Sequence, residues 1–230
     1  MKLLGIIGGM SWTSTAEYYR LLNEEVATRL GGLHSARLLL HSVDFAQIEA
    51  MQMAGQWDEA GALLADAARG LERAGAQGLL LATNTMHKVA PAIEAAAQLP
   101  LLHIADAAGR AIRAAGVSRV GLLATAFTME QEFYKGRLAR HGIETIVPGD
   151  AQRSEVHRVI YDELCRNVIL PGSCGTYRRI MASLAERGAQ GIILGCTEIT
   201  LLVGQDDTPL PVFDTTRLHV EAAVDWMLDA

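Results

Sequence analysis

The chain has 230 residues, of which 50% are apolar and 20% charged, with a formal net charge of −6. This composition is typical of a globular protein that buries one large core or two smaller ones. The acidic balance argues against a nucleic-acid surface, and no apolar run approaches the roughly 20 residues of a membrane helix. The three cysteines, at 165, 174 and 196, make no disulfide framework, so we expect a protein of the reducing cytoplasm.

Short aliphatic segments alternate with longer amphipathic segments along the whole chain. The first, LLGII, runs into a glycine turn and predicts a buried strand rather than a secretory signal. Strands are predicted at 3–7, 37–43, 77–82, 101–104, 119–124, 190–195 and 210–213. Helices are predicted at 56–74, 86–98, 129–140, 151–167, 175–187 and 215–228. Aliphatic strands that alternate with helices indicate an α/β fold, with mostly parallel sheets flanked by helices.

The chain contains an internal repeat. The segment GAQGLLLATNT at 75–85 returns as GAQGIILGCTE at 188–198, an offset of 113 residues. Two further pairs keep the same order, 5–19 with 121–134 at offset 116 and 99–106 with 210–216 at offset 111. Alternating α/β sequence can match itself by chance, but three pairs in one order favour two homologous halves. We predict a first α/β domain of residues 1–102 plus 214–230 and a second of 103–213, related by a pseudo-twofold axis, with the active site in the cleft between them.

The repeated segments 75–85 and 188–198 carry different polar residues just after the predicted strand, Thr83 in the first and Cys196 in the second. Ligands of parallel sheets bind beyond the carboxyl ends of the strands, so both residues are predicted to face a ligand. A cysteine between a strand end and a helix start has its thiolate stabilised by free N–H groups, and it can act as nucleophile or general base. Two proton-handling groups on opposite faces of one carbon suit stereochemical inversion. The alternative is that Cys196 is a small buried core residue.

Four motifs together resemble the aspartate/glutamate racemase family. They are GIIGGMSW at 5–12, TNTMH at 83–87, GLLAT at 121–125 and GCTE at 195–198. The resemblance covers nearly the whole chain, and it extends to a subgroup with threonine in place of the first catalytic cysteine. It implies a cofactor-independent amino-acid racemase, commonly a homodimer, that binds a small amino acid and neither nucleic acid nor membrane. The leading expectation is racemisation of L-aspartate or L-glutamate by deprotonation and reprotonation at Cα.

The resemblance also implies roles for individual residues. Cys196 matches the second catalytic cysteine, which deprotonates the L-enantiomer, and Thr83 takes the position of the first, as proton donor. Asn84, Thr85 and Thr197 match residues that hold the α-carboxylate, and Gln47 falls near the binder of the distal carboxylate. The complete expected set of substrate-binding residues is Met10, Gln47, Asn84, Thr85, Thr125, Thr197 and Glu198, with His87 and Cys165 as supporting residues.

Three departures from the family pattern bear on the substrate. Thr83 replaces a cysteine, and because a hydroxyl ionises far less readily than a thiol, it is a poor base that can still donate a proton. The first loop, GGMSW, lacks the aspartate of glutamate racemases. Cys165 stands where aspartate racemases carry a lysine for the distal carboxylate, and Arg166 next to it is a candidate substitute.

Two other functions fit the same pattern. A single-cysteine relative, of the hydantoin racemase, maleate isomerase or arylmalonate decarboxylase type, would use one thiol on the same scaffold. A non-catalytic two-domain protein would bind its ligand without turnover. No cofactor or metal is expected. GIIGG lacks the G-x-G-x-x-G spacing of dinucleotide sites, the seven histidines show no metal-ligand spacing, and Lys88 lacks the phosphate cradle that pyridoxal phosphate needs.

Overall fold

The computed structural model of the chain describes residues 1–229 and contains two four-stranded parallel sheets. The strands of the first sheet are β1 (Leu4–Gly8), β2 (Leu38–Ser42), β3 (Gly78–Leu81) and β4 (Leu101–Leu102). Those of the second are β5 (Arg119–Leu123), β6 (Glu144–Ile146), β7 (Gly191–Leu194) and β8 (Val212–Asp214). The spatial orders are β2-β1-β3-β4 and β6-β5-β7-β8, so the two sheets share one topology. The predicted α/β class is confirmed. The short edge strand β6 was not predicted, because three residues carry too little periodicity.

Ten α-helices connect and flank the strands in the described residues. They are α1 (Trp12–Leu30), α2 (Phe45–Ala54), α3 (Trp57–Arg73), α4 (Ala90–Ala96), α5 (Ile104–Ala114), α6 (Ala126–Glu130), α7 (Glu132–Ala139), α8 (Asp150–Arg158), α9 (Pro171–Glu186) and α10 (Thr215–Leu228). Three predicted helices are wrong in detail. The segment 129–140 covers the end of α6, a break at Gln131 and α7. The segment 86–98 divides into a 3₁₀ turn, Thr85–Val89, and α4, and the segment 151–167 passes after α8 into a π turn, Val159–Glu163, and a 3₁₀ turn, Leu164–Arg166. None of the helices within residues 1–229 has the length and apolar character needed to cross a membrane.

The chain divides into two compact units. The first comprises residues 1–103 with the C-terminal stretch from His219, and the second comprises residues 104–218. In the first unit, Val220 and Val224 of α10 belong to one buried cluster with Leu4 and Ile6 of β1. The second unit has a separate core built around β5 and β7. The division falls inside α10, whereas the predicted boundaries, 1–102 plus 214–230 and 103–213, separate the domains before this helix and stay a prediction.

The strand registers repeat at the offsets found in the sequence. Gly5 pairs with Leu79 in the first sheet, and Gly121 pairs with Ile192 in the second. Gly121 lies 116 residues after Gly5, and Ile192 lies 113 residues after Leu79, the same offsets as the repeated segments. The next pairs, Leu80 with Leu102 and Ile193 with Phe213, continue the series at 113 and 111. The duplicated segments therefore have equivalent places in two equivalent sheets.

The loop after β1 depends on a glycine. Gly9 has a φ of 95°, and a Cβ atom there would lie 2.2 Å from the carbonyl oxygen of Val43. We expect Gly9→Ala to lower the free energy of unfolding by about 3 kcal/mol or more, because backbone strain and a backbone clash add. Gly75→Ala is the matched control, since Gly75 has a φ of 96° and open space around the added Cβ. In urea unfolding, the control should lose only about 1–2 kcal/mol of its free energy of unfolding. Equal losses in Gly9→Ala and Gly75→Ala would contradict the predicted clash at Gly9.

Candidate functional site

The first tip, defined as residues 83–87, follows β3 in the first unit. The chain leaves the strand at Ala82, and the 3₁₀ turn Thr85–Val89 begins three residues later. Asn84 and Thr85 are buried although polar, whereas Thr83 is half-buried. Within residues 1–229 the Thr83 hydroxyl has no hydrogen-bond partner. This tip therefore presents one uncommitted hydroxyl beside two buried polar side chains.

Three histidines, His87, His103 and His219, form a cluster that contacts the first tip. The Nδ1 atom of His87 lies 2.7 Å from the carbonyl oxygen of Thr83 and must donate to it, which ties the turn to the residue it carries. The His87 ring packs against His103 and His219, with ring centroids 4.4 Å and 5.9 Å away. His219 in turn lies 2.6 Å from the carbonyl oxygen of Leu102 and 3.0 Å from the Tyr18 hydroxyl. These contacts support the predicted orienting role of His87. His103 and His219 were missed, because they lie 16 and 132 residues after His87 in the sequence and no motif links the three.

The second tip, defined as residues 195–198, follows β7 in the second unit. The Sγ atom of Cys196 lies 2.9 Å from Oε2 of Glu198, so the thiol donates to this carboxylate. The hydroxyls of Thr197 and Thr216 are 2.9 Å apart. Gly195 fits closely here, since a Cβ atom at this position would lie 3.0 Å from that of Ala124, the residue that follows β5. Glu198, one of the expected substrate-binding residues, contacts the thiol in this structure, and its role toward substrate stays a prediction.

The prediction that the surroundings of Cys196 favour its thiolate is wrong. Burial raises the pKa of the Cys196 thiol well above its ordinary value, and the negative charge of Glu198 raises it further. The backbone N–H of Glu198 hydrogen-bonds the sulfur and lowers the pKa, but this effect is smaller than the other two. The resting side chain is a thiol hydrogen-bonded to an acceptor that can take its proton.

Cys165 belongs to the electrostatic surroundings of the second tip. Burial and the charge of Glu198 raise the pKa of Cys165 to about 12.

The turn that carries Cys165 is fixed by Glu163, a buried residue that the sequence reasoning missed. Its carboxylate accepts a 2.6 Å hydrogen bond from Ser173 and forms a 2.9 Å ion pair with Arg158. No local pattern distinguishes Glu163 from a surface glutamate, because its partners come from different elements.

The remaining predicted residues lie in different surroundings. Met10, after β1, is buried in the core of the first unit, in one cluster with Met86 of the first tip. Gln47 lies exposed in the first turn of α2. Thr125 is buried after β5, the strand that pairs with β7, and its hydroxyl is 3.3 Å from that of Thr128. Across residues 1–229, no group of three or more His, Cys, Asp or Glu side chains is arranged to hold a metal ion.

The contact between Cys196 and Glu198 predicts a pH effect. Glu198→Gln removes a negative charge and presents an amide donor, so both changes favour the thiolate. We expect the pKa of Cys196 to fall, and its alkylation by iodoacetamide to begin at lower pH, in a background of Cys165→Ser and Cys174→Ser. Glu132→Gln, at an exposed site, is the control. An unchanged pH midpoint in Glu198→Gln would show that the carboxylate does not influence the thiol.

The sequence profile described as Asp/Glu/hydantoin racemase matches residues 7–223 of the chain. The protein therefore belongs to the Asp/Glu/hydantoin racemase family, and the predicted resemblance is confirmed at this level. The subgroup defined by Thr83 stays a prediction.

Solved structures from three organisms are similar over almost the whole chain. A Yersinia pestis protein, provisionally described as an Asp/Glu racemase, is 55% identical with 100% of both chains covered and a TM-score of 0.95. An aspartate racemase homologue from Pyrococcus horikoshii OT3 is 33% identical, again with 100% of both chains covered, at a TM-score of 0.88. The aspartate racemase of Picrophilus torridus shares the fold, with 19% identity over 99% of this chain and 94% of that one and a TM-score of 0.79.

Proposed function

We propose that the protein is a cofactor-independent racemase of an acidic amino acid, L-glutamate or L-aspartate. One observation carries the proposal: Thr83 and Cys196 follow β3 and β7, strands that have the same place and register in two equivalent sheets. Each tip thus carries one group able to handle a proton. Membership of the racemase family supports the reaction class, and the descriptions of the Yersinia and Pyrococcus relatives support acidic substrates.

The proposed reaction begins with the thiol of Cys196. Its proton passes to Glu198, which already accepts the S–H hydrogen bond. The resulting thiolate takes the Cα proton of the L-enantiomer, and the electron pair delocalises into the α-carboxylate. The Thr83 hydroxyl donates its proton to the opposite face of Cα as it takes one from water, since a threonine alkoxide is too basic to persist. The hydroxide left from that water is neutralised through solvent by the proton held on Glu198, which returns the carboxylate, the thiol and the hydroxyl to their resting states. The proposal requires that both tips act on one substrate molecule.

Binding of the substrate is proposed for the polar residues beside the two tips. Asn84 and Thr85 at the first tip and Thr197 at the second would hold the α-carboxylate, with Thr125 as a further polar contact. Asn84 and Thr85 directly follow β3, at the end of a parallel strand where ligands of such sheets bind, and this supports the role. Met10 would form an apolar wall, and Gln47 would donate to the distal carboxylate.

Isotope exchange tests the reaction. We expect L-glutamate or L-aspartate to gain deuterium at Cα in D₂O and to reach equal amounts of both enantiomers, as measured by NMR and chiral chromatography. Enantiomers have equal free energy, so runs from pure L and from pure D must end at the same composition. The two directions can differ in kcat and KM separately but not in kcat/KM. Absence of exchange with a panel of L-amino acids would overturn the proposal.

A second candidate follows from the presence of only one thiol at the two tips. A single thiol suffices to protonate an enediolate after decarboxylation, or to add to an alkene during cis–trans isomerisation. Such an enzyme would leave the Cα proton of L-glutamate unexchanged and would act on an arylmalonate or maleate. A binding protein would hold its ligand without turnover and would be insensitive to iodoacetamide. We also propose a homodimer, which sedimentation equilibrium tests.

A further inference from the structure

Among residues 1–229, Lys88 is a cation without an anionic partner. It lies half-buried in the 3₁₀ turn Thr85–Val89, directly after the last residue of the first tip. Its Nζ atom is 3.7 Å from the centroid of the Trp57 ring. Within residues 1–229 it forms no ion pair and no hydrogen bond. The aromatic face attracts the ammonium group but carries no net charge, so the cation remains uncompensated. Burial accordingly lowers the pKa of Lys88.

The other lysines are already engaged. Lys135 pairs with Glu132 at 2.8 Å on the surface of α7, and Lys2 donates to the carbonyl oxygen of Trp226 at 3.1 Å. Arg166, the candidate suggested by its neighbour Cys165, has an exposed side chain. Of the three lysines, Lys88 is therefore the one that has neither an anionic partner nor a hydrogen bond among the described residues.

The position of Lys88 relates it to the first tip. A 3₁₀ helix has three residues per turn, so residues three apart lie on the same face, and Thr85 and Lys88 share one face of this turn. Thr85 is a proposed ligand of the α-carboxylate. Trp57, at the start of α3, holds the flexible lysine stem in one direction. A substrate bound at Thr85 thus has a fixed cation on the same face of the same turn.

We propose that Lys88 binds the distal carboxylate of the acidic substrate and so takes the part of the lysine that Cys165 replaces. This inference rests on the proposed function for the identity of the substrate. A dicarboxylic amino acid would supply the counter-charge that Lys88 lacks, whereas its neutral amide would leave the cation uncompensated. Lys88 is then the residue that distinguishes glutamate or aspartate from glutamine or asparagine.

Steady-state kinetics with L-glutamate tests the role in the intact enzyme. Lys88→Met keeps the stem and removes the charge, and we expect KM to rise by about 10- to 100-fold with little change in kcat. Lys88→Arg should restore KM to within a few-fold of wild type, and Lys135→Met should have no effect. The preference for glutamate over glutamine should fall in Lys88→Met alone. A purely structural role would instead lower kcat, lower the melting temperature and affect both substrates equally.

Calorimetric titration of L-glutamate separates this inference from the proposed function. It compares Cys196→Ser with the double variant Cys196→Ser/Lys88→Met, neither of which needs to turn over. Weaker binding in the double variant supports Lys88 even if the wild-type enzyme proves to be no racemase. Equal binding, or a rise in KM for Arg166→Met rather than Lys88→Met, overturns the inference and leaves the racemase proposal intact.

Discussion

Cys196→Ala is expected to slow Cα proton exchange of the L-enantiomer by about 10³-fold or more, because the variant lacks the base that begins the reaction. The loss should fall mainly on kcat, since the small, half-buried side chain at this position contributes little to substrate binding. The rate of deuterium incorporation into L-glutamate, followed by NMR, measures this exchange directly.

Cys174→Ala is the matched control for this change. Cys174 is a half-buried thiol in the first turn of α9, 4.0 Å from Asp207 and remote in sequence from both tips. Its loss should leave exchange near the wild-type rate. Wild-type exchange in Cys196→Ala would contradict the assignment of Cys196, whatever the outcome for Cys174.

Thr83→Ala is expected to separate proton exchange from inversion. Cys196 can remove the Cα proton and return a deuteron on the same face, so L-glutamate should still exchange. Inversion needs a donor on the opposite face, and we expect its rate to fall by about 100-fold or more. The ratio of exchange to racemisation, from NMR and chiral chromatography on one sample, is the quantity to measure.

Two substitutions at the same position sharpen the test. Thr83→Ser keeps the hydroxyl and should keep inversion, whereas Thr83→Cys supplies a thiol and should speed proton abstraction from the D-enantiomer. A parallel fall of exchange and inversion in Thr83→Ala would mean that this residue supports the tip rather than donating a proton. The same endpoint from L and from D is required in every active variant, because the equilibrium constant is one.

The fold follows closely from sequence pattern. Seven of the strands coincide with predicted aliphatic segments, and the repeat offsets of 116, 113 and 111 reappear as strand registers. This works because strands of a parallel sheet are buried on both faces and are therefore aliphatic throughout. Helix ends were predicted less well where α8 passes into the π turn before Cys165, since a one-residue insertion in a turn leaves the apolar pattern almost unchanged.

By itself, the sequence determined the fold class, the family and the two residues, Thr83 and Cys196, that end the duplicated segments, because repeats, strand runs and short motifs are local in the chain. Only the tertiary structure decided what surrounds those residues. Burial and partners from separate elements produce the raised pKa of Cys196. They also produce the contacts of Glu163 with Ser173 and Arg158 and the position of Lys88 over the Trp57 ring. A pKa follows the dielectric surroundings and nearby charges of a group, and these exist only once the chain has folded.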